Sequence, residues 1–348
     1  MSRFTIRRFK LVLATALALV ATSTTAVASG NGVQACSRTS QLMHAACYAE
    51  TRDDLLTEKA RCYNEEDRDE RRECIVESRE TFAEERESCG EQYEARQEVC
   101  DAIGQAPYDP EFEPEMFETS LDNPLTPNPY YPLAVGNRAV YDGDEQIEII
   151  VHDETKLIDD VTCFVVQDIV YEDGLLVEDT DDWFALAKAD GSIWYCGEEV
   201  KDYEYFEGDM PGVPELVAID GSFKVERDRA RSGTVLPGIP VVGAVFRQEF
   251  DVGNAEDVGE IVSINYGYGN DADLDELVPE DLAELLCNDD CLVVRESSPL
   301  DPGSSELKYY ARGIGFFLGT NVEQDESVQM VGCNFDPRCD ELPELEDD

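Results

Sequence analysis

Six cysteines between residues 36 and 100 are spaced at intervals of 11, 15, 12, 15 and 11. The series is a palindrome: reflection about Arg68 maps Cys62 onto Cys74, Cys47 onto Cys89 and Cys36 onto Cys100. The same stretch holds no proline and one glycine, Gly90, so nothing in it breaks a helix. Intervals of 11 and 15 residues are close to whole numbers of helical turns, which keeps the three cysteines of each arm near one face. An antiparallel helical hairpin turning near residues 67–69 therefore sets each reflected pair face to face. Helix axes about 8 to 10 Å apart, less two Cα radii of about 2.3 Å, leave facing Cα atoms roughly 3.4 to 5.4 Å apart, a range that overlaps disulfide reach. Six cysteines allow about fifteen connectivities, and the reflection selects one. Between the cysteines the chain is mostly Glu, Asp and Arg, as in Tyr63-Asn64-Glu65-Glu66-Asp67-Arg68. So thin a two-helix element is marginal alone, and each bridge contributes roughly 2 to 4 kcal/mol.

Twelve cysteines and a leader define the compartment. Arg3, Arg7, Arg8 and Lys10 precede an apolar run over residues 11–20, and Ala26-Val27-Ala28 forms a small-residue cleavage site. Residues 1–28 thus read as a secretory signal peptide, and no later stretch approaches the ~20 apolar residues of a membrane span. The expected address is exported, either periplasmic or extracellular. There an even set of 12 cysteines is expected to form disulfides.

Removing the four leader cations from 27 Lys and Arg leaves 23 against 78 Asp and Glu, a net charge of −55. Such a field repels phosphate backbones and anionic lipid surfaces, which argues against nucleic-acid partners. It attracts cations and suits a salty habitat, where screening makes self-repulsion tolerable.

Downstream, residues 29–104 form the hairpin unit and residues 105–132 a connector with seven prolines. Helix cannot persist through these prolines and an extended connector is expected, but Tyr108, Phe112, Met116, Phe117, Tyr130 and Tyr131 make it too apolar to run free. Residues 133–322 read as an antiparallel β-domain, and residues 323–348 as an acidic tail with a cysteine pair. Within the β-domain, residues 161–196 give three successive strands separated by Glu172-Asp173-Gly174 and Ala189-Asp190-Gly191, turns whose Asp-Gly steps supply positive φ. Nine or ten strands are expected in all. The fold class is α+β: a disulfide-stapled helical hairpin followed by an antiparallel β-meander, curved or partly closed into a barrel to protect its edges.

Several segments carry a resemblance. Asn128-Pro129-Tyr130-Tyr131-Pro132-Leu133, Asp190-Gly191-Ser192-Ile193-Trp194-Tyr195 and Tyr309-Tyr310-Ala311-Arg312-Gly313-Ile314-Gly315 are similar to the NPYxPL opening, DGxxWYxGE centre and YYAxGxG close of a group of uncharacterised secreted bacterial proteins. The resemblance covers most of residues 107–320 and implies the meandering sheet, with no activity, cofactor or catalytic residue. This chain departs from it at Cys196, where the group has an aromatic. The departure implies an extra staple between Cys163 and Cys196.

The motifs of catalysis are missing. Only His44 and His152 are present, which poorly supplies a histidine-rich zinc site or a nucleophile triad. No G-x-S-x-G, H-E-x-x-H or P-loop occurs. With 78 acids, any glycosidase-like pair could be nominated. Asp271, Asp273 and Asp275 alternate like the start of a Ca2+ loop, but Glu276 stands where the loop needs glycine and Leu282 where it needs glutamate. A solvated acidic loop is the favoured reading. Cys287, Cys291, Cys333 and Cys339 are expected in disulfides, within or between the two pairs.

Trp183, Phe184, Trp194 and Tyr195 are the candidate ligand-binding residues of a concave aromatic core. The leading expectation is a non-enzymatic exported protein binding an apolar small molecule or a protein partner through the β-domain. The alternatives are an envelope assembly module docking through the hairpin and, third, a carboxylate-dependent hydrolase.

Overall fold

In a computed structural model of the chain, residues 34–206, 208, 210, 212–321 and 326–345 are described. The signal-peptide segment lies outside them. Helix α1 (Ala35–Cys62) and helix α2 (Arg68–Ile103) form the hairpin. Asp67 starts α2 by accepting the N–H groups of Asp69 and Glu70 at 2.7 and 3.1 Å, the capping geometry that satisfies otherwise orphaned donors. The three reflected cysteine pairs are bonded, with Cα separations of 5.6, 5.8 and 5.6 Å. These sit just above the range expected from axis spacing, because the S–S bond itself sets the distance where apolar packing is sparse.

The strands are β1 (Arg138–Gly143), β2 (Gln146–Ile158), β3 (Val161–Glu172), β4 (Leu175–Leu186), β5 (Ile193–Glu199), β6 (Asp202–Glu204), β7 (Glu215–Ala218) and β8 (Arg231–Leu236). They continue as β9 (Val245–Arg247), β10 (Glu249–Phe250), β11 (Val258–Tyr266), β12 (Cys291–Ser298), β13 (Asp301–Ala311), β14 (Gly315–Asn321) and β15 (Glu326–Cys333). The meander over residues 161–196 is present, and the β3–β4 loop is the two residues Asp173 and Gly174 with φ of 51° and 75°, as a primed turn demands. Asp159 and Asp160, with φ of 47° and 63°, make the same kind of turn between β2 and β3. Among the described residues there are 15 strands, more than the nine or ten expected, because short strands such as β6, β9 and β10 carry too few residues to show a period. The sheet also runs on through β15, inside the segment read from sequence as tail.

The order is β10-β8-β5-β4-β3-β2-β1-β15-β14-β13-β12-β11-β9. Its two ends are neighbours in the chain. Val245, Phe246 and Arg247 pair with β11, while Glu249 and Phe250 pair with β8, so one irregular segment joins both edges and the sheet forms a nearly closed barrel. Gly233 permits this approach: a Cβ there would lie 2.1 Å from the Gln248 carbonyl oxygen.

Outside the barrel, Leu274, Leu282 and Leu286 of helices α3 (Ala272–Asp275) and α4 (Glu280–Leu286) cluster with Tyr266, Tyr309 and Phe317. On another face the connector lies against the sheet, with Phe117 fully buried and bridged to Ala187. Cys163–Cys196 staples β3 and β5 beneath it, and Cys287–Cys291 and Cys333–Cys339 close within their own pairs. Six disulfides with no free cysteine fit an oxidising compartment. No helix among the described residues is long and apolar enough to cross a membrane.

Candidate functional site: an acidic barrel lumen

Inward positions of the barrel change character along each strand. On β3 the order is Phe164, Val166, Asp168; on β4, read backwards, Leu186, Phe184, Asp182; on β12, Leu292, Val294, Glu296; on β13, read backwards, Tyr310, Lys308, Glu306. Because neighbouring strands are antiparallel, these rows run the same way, in register on β12 and β13 and offset by one inward step on β3 and β4, where Asp182 pairs with Val166: one end of the interior is an apolar plug and the other is rich in carboxylates. A cavity of about 430 Å³ occupies the transition. It adjoins one of about 440 Å³ at the acidic end, with Glu145, Asp257, Glu296, Glu306 and Lys308 lining both.

On β5 a register shift opposite Trp183 and Phe184 re-aims the strand, as bulges do, so that Tyr195 and Glu198 both reach the lumen. The Tyr195 hydroxyl makes a short hydrogen bond to Asp182 Oδ1 and lies 2.9 Å from Glu198 Oε2. Lys308 Nζ is held by Glu296 Oε2 at 2.7 Å and Glu306 Oε2 at 3.4 Å. Gln248 donates to the other Glu296 oxygen at 2.7 Å.

Among the described residues, no ion pair engages Asp168, Asp182, Glu198, Glu249 or Asp257. Asp168 Oδ1 is buried with no hydrogen-bond partner. These groups face cavity space, yet protein surrounds them, and confinement disfavours their charged forms. Burial, then the Asp182 carboxylate, pushes Asp168 well above the usual range. Burial and Glu198 do the same to Asp182 against the opposing Tyr195 hydrogen bond. Glu249 is raised by burial and then Asp257, and burial raises Glu198 to about 7. Lys308 is the converse: burial opposes its charge, but Glu296 and Glu306 outweigh that and hold the ammonium above its ordinary pKa.

The four aromatic candidates divide by the period-two rule. Phe184 and Tyr195 line the lumen, stacked with ring centroids 4.9 Å apart. Trp183 and Trp194 face outward, where Trp194 meets Phe112 and Phe117 of the connector at 6.4 and 5.6 Å. Lys156 Nζ sits 3.2 Å from the Trp183 ring centroid. Lys156→Met, which keeps the stem and removes the charge, is expected to cost about 0.5 to 1 kcal/mol; unchanged urea unfolding would deny that contact any energetic role.

Asp271 accepts the Asp273 and Leu274 N–H groups at 3.2 and 3.4 Å, as the N-cap of α3. Asp275 accepts from the Tyr266 hydroxyl at 3.1 Å and from Gly269 N at 3.0 Å. These two carboxylates serve the backbone of their own loop and the Tyr266 hydroxyl. No group of three or more His, Cys, Asp or Glu among the described residues is arranged to hold a metal ion. His44 is sandwiched by Tyr48 and Tyr93, and His152 Nε2 lies 3.0 Å from Gln167, both away from the lumen.

No protein-family model, no curated protein and no solved structure matches the chain.

Proposed function

We propose that the barrel is a binding module for a small organic cation, an aliphatic diamine or polyamine. The observation that carries this reading is the asymmetry of the lumen. Lys308 places one primary ammonium between two carboxylates, while Asp168, Asp182, Glu198, Glu249 and Asp257 line the same cavity without an ion pair of their own among the described residues. An incoming ammonium would find there the charge-assisted hydrogen bonds that Lys308 already makes. The Phe184, Tyr195, Tyr310 and Phe316 rings at the apolar side suit the methylene chain and add cation–π attraction. Fully apolar ligands fit this cavity poorly, because they would leave the carboxyls desolvated without a partner.

Titration calorimetry with spermidine in about 0.5 M KCl, which screens the acidic exterior, tests the reading. One-to-one binding is expected, weakened roughly tenfold or more in Asp182→Asn/Glu198→Gln, with no saturable heat from Ca2+ or octan-1-ol. Affinity should rise with pH through about 7, where Glu198 gives up its proton. Spermidine binding that ignores the double substitution would overturn the proposal. Octan-1-ol binding in place of spermidine would return the lumen to an apolar carrier.

A further inference from the structure

A second cavity, of about 480 Å³, lies in the seam where the hairpin meets the barrel. It is lined by the Cys36–Cys100 end of the hairpin, by the start of the connector and by the strand segment that closes the sheet. Its charged residues are Arg96, Arg247 and Glu256. Arg96 is matched to Glu256 by a two-pronged contact, Nε to Oε2 and Nη2 to Oε1, both 2.9 Å. Arg247 is not matched.

The Arg247 residue is 6% exposed, and its Nε and Nη1 atoms are buried with no hydrogen-bond partner. What holds the guanidinium is a pair of rings, Phe250 at 4.1 Å and Tyr108 at 5.6 Å from its carbon, themselves in edge-to-face contact at 5.3 Å. An arginine does not escape such burial by losing its proton, and an uncompensated buried charge costs several kcal/mol. With Tyr108 neutral, its hydroxyl pushed up to about 12 by burial, two guanidiniums and one carboxylate leave the seam with one positive charge. That is an unusual charge to bury in a chain with a net charge of −51.

We infer that the seam is a binding site for a monocarboxylate with an apolar body. One carboxylate neutralises the one excess charge beside Arg247, which lines the cavity, and matches the planar fork that a guanidinium presents. A phosphate dianion would bring excess negative charge beside Glu256. Much of the remaining wall, including Ile103, Pro107, Val245 and Phe246, is apolar and takes the rest of the molecule. This site is independent of the lumen: Gln248 and Glu249 turn inward where Arg247 turns out.

Octanoate is the probe, with octan-1-ol and inorganic phosphate beside it, read by calorimetry and by thermal unfolding. Octanoate at 100-fold its Kd is expected to raise the Tm by roughly 5 °C, with little effect from the other two. Arg247→Met keeps the length of the side chain and removes the charge. It is expected to abolish the octanoate shift while leaving the Tm of the free protein equal or higher, since a buried unpaired charge is gone. A lower Tm with octanoate binding intact would make Arg247 a structural, ring-stacked residue and overturn the inference. So would the absence of octanoate binding to the unaltered protein, or equal binding of octan-1-ol, and both are read even where the variant does not fold. Asp182→Asn/Glu198→Gln should leave octanoate binding unchanged, which keeps this outcome separate from that of the lumen.

Discussion

Replacing Glu256 by alanine is expected to destabilise the protein by about 3 to 5 kcal/mol and to free the hairpin from the barrel. Glu256 and Arg96 have side chains 2% and 5% exposed, and Glu256 also accepts the Gly253 N–H at 2.7 Å. Loss of the carboxylate strands Arg96 in the seam beside Arg247, which already lacks a partner. Two unpaired guanidiniums would then repel each other across a poorly hydrated space. Apart from this pair, the hairpin holds to the barrel by few polar contacts, one being Gln92 to the Leu300 carbonyl at 3.0 Å, while its own three disulfides survive undocking. The first unfolding event should therefore be separation rather than melting, seen as faster hydrogen exchange over residues 92–103 with helical circular dichroism retained. Arg96→Met/Glu256→Leu, which removes both charges, should recover most of the loss. An alanine variant within about 1 kcal/mol of the parent would show that the seam is held by shape alone.

The hairpin could be read from the sequence because its constraint is one-dimensional: reflecting residue numbers about Arg68 is the same operation as folding two helices together. The Asp173-Gly174 turn was equally local. The lumen was not local. Asp168, Asp182, Glu296 and Glu306 come from four strands and line one cavity only once the sheet curls into a barrel, and among 78 acids none stands out alone. The alternation within each strand did hold the necessary signal. Trp183 and Phe184 cannot share a face, nor can Trp194 and Tyr195, and following Phe184 and Tyr195 along their own faces leads towards Asp182 and, past a bulge, Glu198. The bulge is what the sequence hides, since Cys196 and Glu198 would otherwise point the same way. Strand β15 reads as tail because its own first residue Glu326 and the preceding Asp325 extend the acidic character there, although Val328 and Met330 keep the period of two.

Stability should fall as the pH rises from about 5 to 8, the reverse of what paired surface carboxylates give. Asp168, Asp182, Glu198, Glu249 and Asp257 are all raised by burial, so between the ordinary carboxylate pKa of about 4 and their folded values the folded chain binds more protons than the unfolded chain. The slope of unfolding free energy against pH is then negative. The loss begins near pH 4 and for Glu198 is complete somewhat above 7. Asp67, Glu148 and Asp336 are lowered by hydrogen bonds to backbone or arginine; they act oppositely, but only below about pH 4, and thus set the acid side of a maximum near pH 4 to 5. Repulsion among exterior acids slopes the same way as the lumen, and salt separates the two, because about 1 M KCl screens charges beyond roughly 3 Å in water but reaches enclosed groups poorly. Asp168→Asn isolates the lumen further. It removes a charge whose Oδ1 has no partner, and is expected to stabilise by about 1 to 3 kcal/mol at pH 8 with little effect at pH 4, where the parent aspartate is already protonated. Unfolding curves in 1 M KCl at both pH values decide it: parallel behaviour of parent and variant would mean that water and counterions enter the barrel freely. In that case its carboxylates would be an extension of the acidic surface.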